Sequence, residues 1–92
     1  MDLKGSKAVI TGASSGIGEA IALELAARGA CLTLTARRGD RLEELGSRIS
    51  AAGGEAPLLV VADLRQADDI GRIFHESGER WGGLDILVNN AG

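Results

Sequence analysis

A glycine-rich segment near the start of the chain constrains its fold more than any other feature. The segment Thr11-Gly12-Ala13-Ser14-Ser15-Gly16-Ile17-Gly18 joins a β-rich apolar run to a run of helical period. Glycine tolerates positive φ in a tight turn, lets the backbone approach a phosphate, and lets a helix begin close to a sheet. The N–H groups at a helix start also favour an anion. We therefore predict a phosphate-binding turn; the alternative is an ordinary tight turn between strand and helix.

The apolar residues of the chain alternate between short β-rich runs and longer runs of helical period. This alternation is typical of a parallel sheet with a helix between successive strands. Because the β-rich runs are nearly continuous in valine, isoleucine and leucine, we expect helices on both faces of the sheet. The predicted strands are Lys7–Thr11, Cys31–Ala36, Leu58–Ala62 and Leu84–Val88.

Three helices are predicted between these strands. The second should begin with Asp40 as its N-cap and Glu43 as the capping-box partner. The apolar positions of the first helix are Ile17, Ile21, Ala22 and Leu25, and those of the third, at about 67–81, are Ile70, Ile73, Phe74 and Trp81. Right-handed crossovers then predict an α/β fold, a doubly wound parallel sheet of four strands in the order 3-2-1-4.

Length and composition exclude several classes of protein. A chain of 92 residues is one small domain, 1–92, and 45% hydrophobic residues argue against a disordered tail. A net charge of −3 and only two aromatic residues argue against nucleic acid as a partner. One cysteine and one histidine supply neither an internal disulfide nor a zinc site. No apolar run approaches the ~18 residues of a membrane span, so we expect a cytoplasmic protein.

Three motifs, taken in order, resemble those of the short-chain dehydrogenase/reductase family. They are the segment from Thr11 to Gly18, Asp63 after the third strand, and Asn89-Asn90-Ala91-Gly92 after the fourth. The resemblance covers essentially the whole chain but only the N-terminal part of a family member. It implies a truncated Rossmann-type domain that binds a nicotinamide dinucleotide.

The resemblance also implies roles for individual residues. Gly12, Gly16 and Gly18 would shape the turn under the pyrophosphate, and Asp63 would contact the adenine ring; its alternative role is to cap the segment before the third helix. The asparagines after the fourth strand are equally good turn formers. The predicted cofactor-binding residues are Gly12, Ser14, Ser15, Gly16, Ile17, Gly18, Arg37, Arg38, Asp63, Leu64, Asn90, Ala91 and Gly92.

The end of the second strand predicts which nicotinamide cofactor is preferred. A site for NAD places an acidic residue there to accept a hydrogen bond from the ribose 2′-hydroxyl. This chain has Ala36 instead, followed by Arg37 and Arg38. Guanidinium groups suit a 2′-phosphate, so we predict NADP(H) in preference to NAD. The alternative is that both arginines belong to a solvated loop.

The chain lacks the residues that carry proton transfer in the family that it resembles. Family members use a tyrosine and a lysine three residues apart, with a serine upstream, all after the Asn-Asn-Ala-Gly loop. This sequence has no tyrosine. We therefore assign no catalytic residue and no metal, and leave open whether the chain takes part in an enzyme.

The leading hypothesis is an NADP(H)-binding portion of an oxidoreductase. One alternative is a working dehydrogenase whose missing residues lie in another chain or in a remainder of the protein. Another is a catalytically inert structural or self-associating fragment, truncated or engineered. Because the fourth strand would end the sheet, we expect homo-oligomers through its edge or through exposed sheet faces.

Overall fold

The computed structural model describes residues 2–90 and contains four strands and three helices. In chain order they are β1 (Lys7–Thr11), α1 (Gly16–Ala27), β2 (Cys31–Ala36), α2 (Gly39–Ala51), β3 (Leu58–Val61), α3 (Ala67–Trp81) and β4 (Ile86–Asn89). All strand pairs are parallel, and the sheet order is β3-β2-β1-β4. The predicted fold class and strand order are confirmed.

Alternate residues of the strands point to opposite faces of the sheet and build two apolar clusters. On one face, Ile10 and Leu34 are fully buried with Leu42 and Ile49 of α2 and with two buried alanines of α1, Ala22 and Ala26. On the other face, Val9 and Val60 pack with Ile73 of α3. Helices therefore cover both faces, which makes the sheet doubly wound.

The pairing of residues between neighbouring strands determines where the strands end relative to one another. Ile10 lies opposite Leu34 of β2 and Val88 of β4, and Thr35 lies opposite both Thr11 and Val60. The carboxyl ends of all four strands consequently reach the same edge of the sheet. Ligands of doubly wound folds bind at this edge.

The start of α2 differs from the prediction. Arg38 is the N-cap, with φ −106° and ψ 106°, and Gly39 already begins the helix. Asp40 therefore lies in the first turn and does not cap the helix; its carboxylate accepts a hydrogen bond from Arg38 Nη2 at 3.0 Å. The predicted capping box is wrong because the chain leaves the extended conformation before it reaches Asp40, whose charge still interacts favourably with the helix dipole.

Three strand ends are also displaced by one or two residues. β3 ends at Val61, although the N–H of Ala62 still donates to Ala36 O at 3.0 Å. β4 begins at Ile86 and extends to Asn89, whereas the prediction placed it at 84–88. Asp85 lies before β4 and contacts the start of β1, where its carboxylate accepts a hydrogen bond from Lys7 N at 2.9 Å.

The apolar stripes of α1 and α3 are less buried than their spacing indicates. Ile17 is 69% exposed, and the buried residues of α1 are Gly18, Ala22 and Ala26. In α3, which packs on β2 and β3, Ile73 is buried while Ile70 and Phe74 are exposed. None of the three helices, within residues 2–90, combines the length and apolarity that a bilayer crossing requires.

Candidate functional site

The glycine turn begins directly after β1 with a backbone conformation that glycine adopts more easily than any other residue. Gly12 has φ +64°, in the left-handed region that disfavours a side chain. Its carbonyl accepts a hydrogen bond from Ser15 N at 3.2 Å, and Ala13 N donates to Thr35 O at 3.0 Å. The turn is thus closed on itself and tied to the end of β2.

Ser15 forms the N-cap of α1. Its side-chain oxygen accepts a hydrogen bond from Gly18 N at 3.3 Å and donates to Gly12 O at 3.0 Å. The next two amides are free: within the described part of the chain, the N–H groups of Gly16 and Ile17 have no acceptor. Two amide donors therefore remain at the positive end of the helix dipole, where an anion is favoured.

Gly16 and Gly18 have different surroundings. A Cβ at Gly18 would lie 2.4 Å from Gly12 O and 2.7 Å from Asn90 Nδ2, so no side chain fits there. A Cβ at Gly16 would meet no atom within 4 Å. Gly18 is thus required by the packing of the fold, whereas Gly16 leaves open space beside the free amides.

Asn90 joins the glycine turn to the end of β4. Its side-chain amide donates to Ser15 Oγ at 2.7 Å and to Gly12 O at 3.2 Å. Its backbone N–H donates to Thr11 Oγ1 at 3.0 Å. The sequence analysis did not identify Thr11 as part of this network; the signal available was its position as the last residue of β1, opposite Asn89.

A cavity of about 540 Å³ lies at the carboxyl ends of β1, β2 and β3, within the usual range for small-molecule sites. Its lining residues are Gly12, Ser14, Ser15, Thr35, Ala36, Arg37, Arg38, Ala62, Asp63, Leu64, Arg65 and Asn90. Eight predicted site residues are therefore brought together. Gly16, Ile17 and Gly18 are not among the lining residues, and Ala91 and Gly92 lie outside the described residues.

Four lining residues were not predicted as cofactor-binding. Thr35, Ala36 and Ala62 stand at the ends of β2 and β3, where the strand order alone places a ligand crevice. Arg65 follows Asp63 by two residues, and nothing in its spacing distinguished it from other surface arginines.

The three arginines of the cavity are not equivalent. Arg38 pairs with Asp40 at 3.0 Å and Arg65 pairs with Asp63 at 2.9 Å. Arg37 forms no hydrogen bond or ion pair with any residue from 2 to 90. Its charge helps to lower the pKa of Asp63, but its hydrogen-bond donors are not used by any residue from 2 to 90 and are available to an anion in the cavity.

Asp63 makes a two-pronged pair with Arg65. Oδ1 accepts from Arg65 Nε at 3.0 Å and Oδ2 from Nη2 at 2.9 Å, while Oδ1 also accepts from the backbone N of Arg65 at 2.9 Å. These hydrogen bonds, first those of the guanidinium, lower the pKa of Asp63 to about 2. The bond to the backbone shows that Asp63 also closes the turn before α3, in line with the alternative role considered for it.

No group of three histidine, cysteine, aspartate or glutamate residues in the described segment could hold a metal ion.

Comparison with known proteins gives concordant matches over nearly all of the chain. The family model described as short chain dehydrogenase matches residues 6–92. An 11-beta-hydroxysteroid dehydrogenase A from Sesamum indicum is 48% identical over 99% of this chain and 26% of its own length.

Two solved structures show the same fold. A glucose dehydrogenase of Caenorhabditis elegans in its apo form superposes with a TM-score of 0.95 at 41% identity, over 100% of this chain and 40% of the other. A metagenomic short-chain oxidoreductase in complex with NADP gives 0.91 at 44% identity, over 97% and 40%. The chain thus spans between a quarter and two fifths of these relatives and corresponds to their N-terminal part.

We expect the substitution Gly18→Ala to destabilise the fold by about 1–3 kcal/mol, because its Cβ would overlap the Gly12 carbonyl and the Asn90 amide. The matched substitution Gly16→Ala should leave stability unchanged or raise it by up to about 1 kcal/mol, since alanine favours a helix. Urea unfolding measures both. Equal free energies of unfolding for the two variants would contradict the assigned packing.

We expect Asp63 to titrate near pH 2, against its ordinary value of 3.8. Because the folded-state pKa is lowered, its contribution to stability is present above pH 3.8 and is lost as the pH falls through about 2. In Arg65→Leu the pKa should rise but stay below 3.8, since the backbone hydrogen bond remains. Carboxyl ¹³C shifts followed against pH measure it; an unchanged midpoint in the variant would refute the pairing.

Proposed function

The chain belongs to the short-chain dehydrogenase family, and we propose that it binds NADP(H) at the carboxyl ends of β1, β2 and β3 as the cofactor-binding portion of an oxidoreductase. The observation that carries this proposal is the cavity between the glycine turn and the unpaired Arg37. The cavity reaches the start of α1 at Ser15, next to the free amides of Gly16 and Ile17, and it holds a separate positive charge at Arg37. A dinucleotide with a diphosphate bridge and a further phosphate has this distribution of charge.

The diphosphate is assigned to the start of α1. The free N–H groups of Gly16 and Ile17 supply donors there, and the open space over Gly16 admits the phosphate oxygens. Ser14 and Ser15 line the adjoining wall. The Ser15 hydroxyl already donates to Gly12 O and accepts from Gly18 N and Asn90 Nδ2, so the hydroxyl offered to the phosphate is that of Ser14. Gly12 and Gly18 act through the shape of the turn.

The 2′-phosphate is assigned to Arg37, with Arg38 beside it. Ala36 occupies the place of the carboxylate that would accept from a ribose 2′-hydroxyl, so no acidic side chain stands at the last position of β2. The NADP complex of the metagenomic relative supports the same choice of cofactor. Arg38 has the weaker claim because Asp40 already neutralises it.

The adenine end is assigned to Asp63 and Leu64, which line the cavity at the end of β3. Asn90 lines the opposite side and holds the glycine turn through Gly12 O and Ser15 Oγ. Ala91 and Gly92 remain predictions from the family resemblance. Each of these residues binds or orients the nucleotide.

When bound, a nicotinamide cofactor supplies or accepts a hydride. The residues of this chain bind the nucleotide end of that cofactor and fix its position relative to the sheet. No tyrosine is present among the 92 residues, so the phenolic proton transfer of the family is assigned to none of them.

A second candidate function is self-association, which the exposure of β4 favours. β4 ends the sheet next to β1, and Leu87 in it is 52% exposed. An edge strand with an exposed apolar residue is a template for pairing with another chain. Two copies joined along β4 would cover this edge.

We expect the chain to bind NADP⁺ about ten-fold or more tightly than NAD⁺, because Arg37 adds a charge-assisted hydrogen bond to the 2′-phosphate. Arg37→Gln should abolish this preference while leaving NAD⁺ affinity nearly unchanged. Arg38→Gln is the matched control and should reduce the preference only about two- to three-fold. Isothermal titration calorimetry measures the dissociation constants of NADP⁺ and NAD⁺ for the unmodified chain and for both variants.

Equal affinity for the two nucleotides in the unmodified chain would contradict the role of Arg37. Absence of any heat of binding, together with no NADP⁺-dependent change in thermal stability, would instead support an inert fragment.

For the second candidate we expect a concentration-dependent dimer in sedimentation velocity. Leu87→Lys should shift the equilibrium to monomer, because a charge at the edge opposes strand pairing. Glu79→Lys, on the exposed surface of α3, is the control that should leave the dimer intact. A monomer at all concentrations would rule out the proposed association.

A further inference from the structure

Arg65 stands in the cavity and holds the one carboxylate that the cavity contains. Among the lining residues Asp63 is the only acidic one, whereas Arg37, Arg38 and Arg65 are basic. The Asp63 side chain is 26% exposed and that of Arg65 is 74% exposed. The pair therefore lies at the mouth of the site, where both groups are accessible to a ligand.

The hydrogen-bonding capacity of Asp63 is nearly used up by Arg65. A carboxylate oxygen accepts about two hydrogen bonds. Oδ1 accepts from the backbone N and from Nε of Arg65, and Oδ2 accepts from Nη2 at 2.9 Å with a longer contact to Nε at 3.3 Å. The amine of a nucleotide base can therefore donate to this carboxylate only by displacing a hydrogen bond from Arg65.

The guanidinium is nevertheless replaceable. Ion pairs at exposed positions are worth little, because water and salt compete with them. The backbone bond from Arg65 N to Oδ1 does not depend on the side chain. If the guanidinium is removed, the backbone hydrogen bond still holds Asp63 in the turn. The lone pairs that accepted from Nε and Nη2 then become free and keep their orientation.

Resting on the proposed nucleotide site, we propose that Arg65 is a specificity-determining residue: it occupies the Asp63 carboxylate and thereby competes with the exocyclic amine of an adenine base. Asp63 then reads the base weakly while Arg65 is present. The chain should accept a 2′-phosphorylated dinucleotide with either a 6-amino or a 6-oxo purine. Selectivity for adenine should increase when Arg65 is replaced.

The test compares the affinities of NADP⁺ and of its hypoxanthine analogue, in which a carbonyl oxygen replaces the adenine amine and N1 becomes a hydrogen-bond donor; the double variant below corrects for the change at N1. The two nucleotides carry the same charge at pH 7, so their affinity ratio is insensitive to the loss of a distant positive charge. We expect NADP⁺ to bind at most about three-fold more tightly than the analogue in the unmodified chain. In Arg65→Leu the ratio should increase to about ten, the size of one hydrogen bond to a charged group.

Two controls separate this role from a structural one. Arg41→Leu removes an exposed arginine of α2 that does not line the cavity, and it should leave the ratio unchanged. The double variant Asp63→Asn, Arg65→Leu lacks the carboxylate and should return the ratio to its value in the unmodified chain. Thermal unfolding of each variant verifies that the fold is retained.

An increase of the ratio by less than about three-fold in Arg65→Leu would overturn the inference, as would an increase that persists in the double variant. In both cases the proposed function would still hold as long as the proteins bind NADP⁺. If neither nucleotide binds to any of the proteins, the proposed function fails, and the inference fails with it.

Discussion

The absence of a side chain at Gly18 is the constraint on which the rest of the site depends. It lets the start of α1 lie against the Gly12 carbonyl and the Asn90 amide, at distances that no Cβ would permit. Asn90 in turn bonds Gly12 O and Ser15 Oγ, so the turn after β1 and the chain after β4 hold each other in place. Because this contact fixes the first turn of α1, the free amides of Gly16 and Ile17 face a defined position before any ligand arrives. Such preorganisation lowers the cost of ordering the site on binding.

The charges around the cavity follow from which arginine has a partner. The chain as a whole carries a net charge of −3, yet three guanidinium groups and one carboxylate line the site. Asp40 pairs with Arg38 and Asp63 pairs with Arg65, which leaves Arg37 as the guanidinium with no hydrogen bond or ion pair within residues 2–90, although its charge also acts on Asp63. The phosphate site that we propose at the end of β2 therefore rests mainly on one residue. The two paired arginines adjust the neighbouring groups: Arg38 anchors the start of α2, and Arg65 covers Asp63.

Local patterns in the sequence were sufficient for the order of strands and helices and for the glycine turn. The strands and the turn follow from local features, namely the valine- and leucine-rich runs and the spacing of the glycines. The strand order follows from the general rule that crossovers are right-handed. None of these predictions requires knowledge of side-chain contacts. The N-cap of α2 was mistaken because the extended backbone of Arg38 is followed at once by helix from Gly39, which leaves Asp40 inside the first turn. Arg65 and Thr11 escaped notice because their importance comes from partners placed by the fold, Asp63 in a turn and Asn90 at a separation of 79 residues. The stripe on α3 was overestimated because only Ile73 packs into the apolar cluster under the sheet, while Ile70 and Phe74 stay exposed.

The central claim is that the first amides of α1 receive the diphosphate of a dinucleotide. Backbone ¹H–¹⁵N spectra recorded during a titration with NADP⁺ test it directly, because each amide of the turn reports on its own hydrogen bond. The account predicts that the Gly16 and Ile17 resonances show the largest saturable shifts, in the direction of stronger hydrogen bonding, with the same apparent affinity as the shift of Arg37. Saturable binding in which the Gly16 and Ile17 amides do not move, while resonances elsewhere in the chain do, would contradict it.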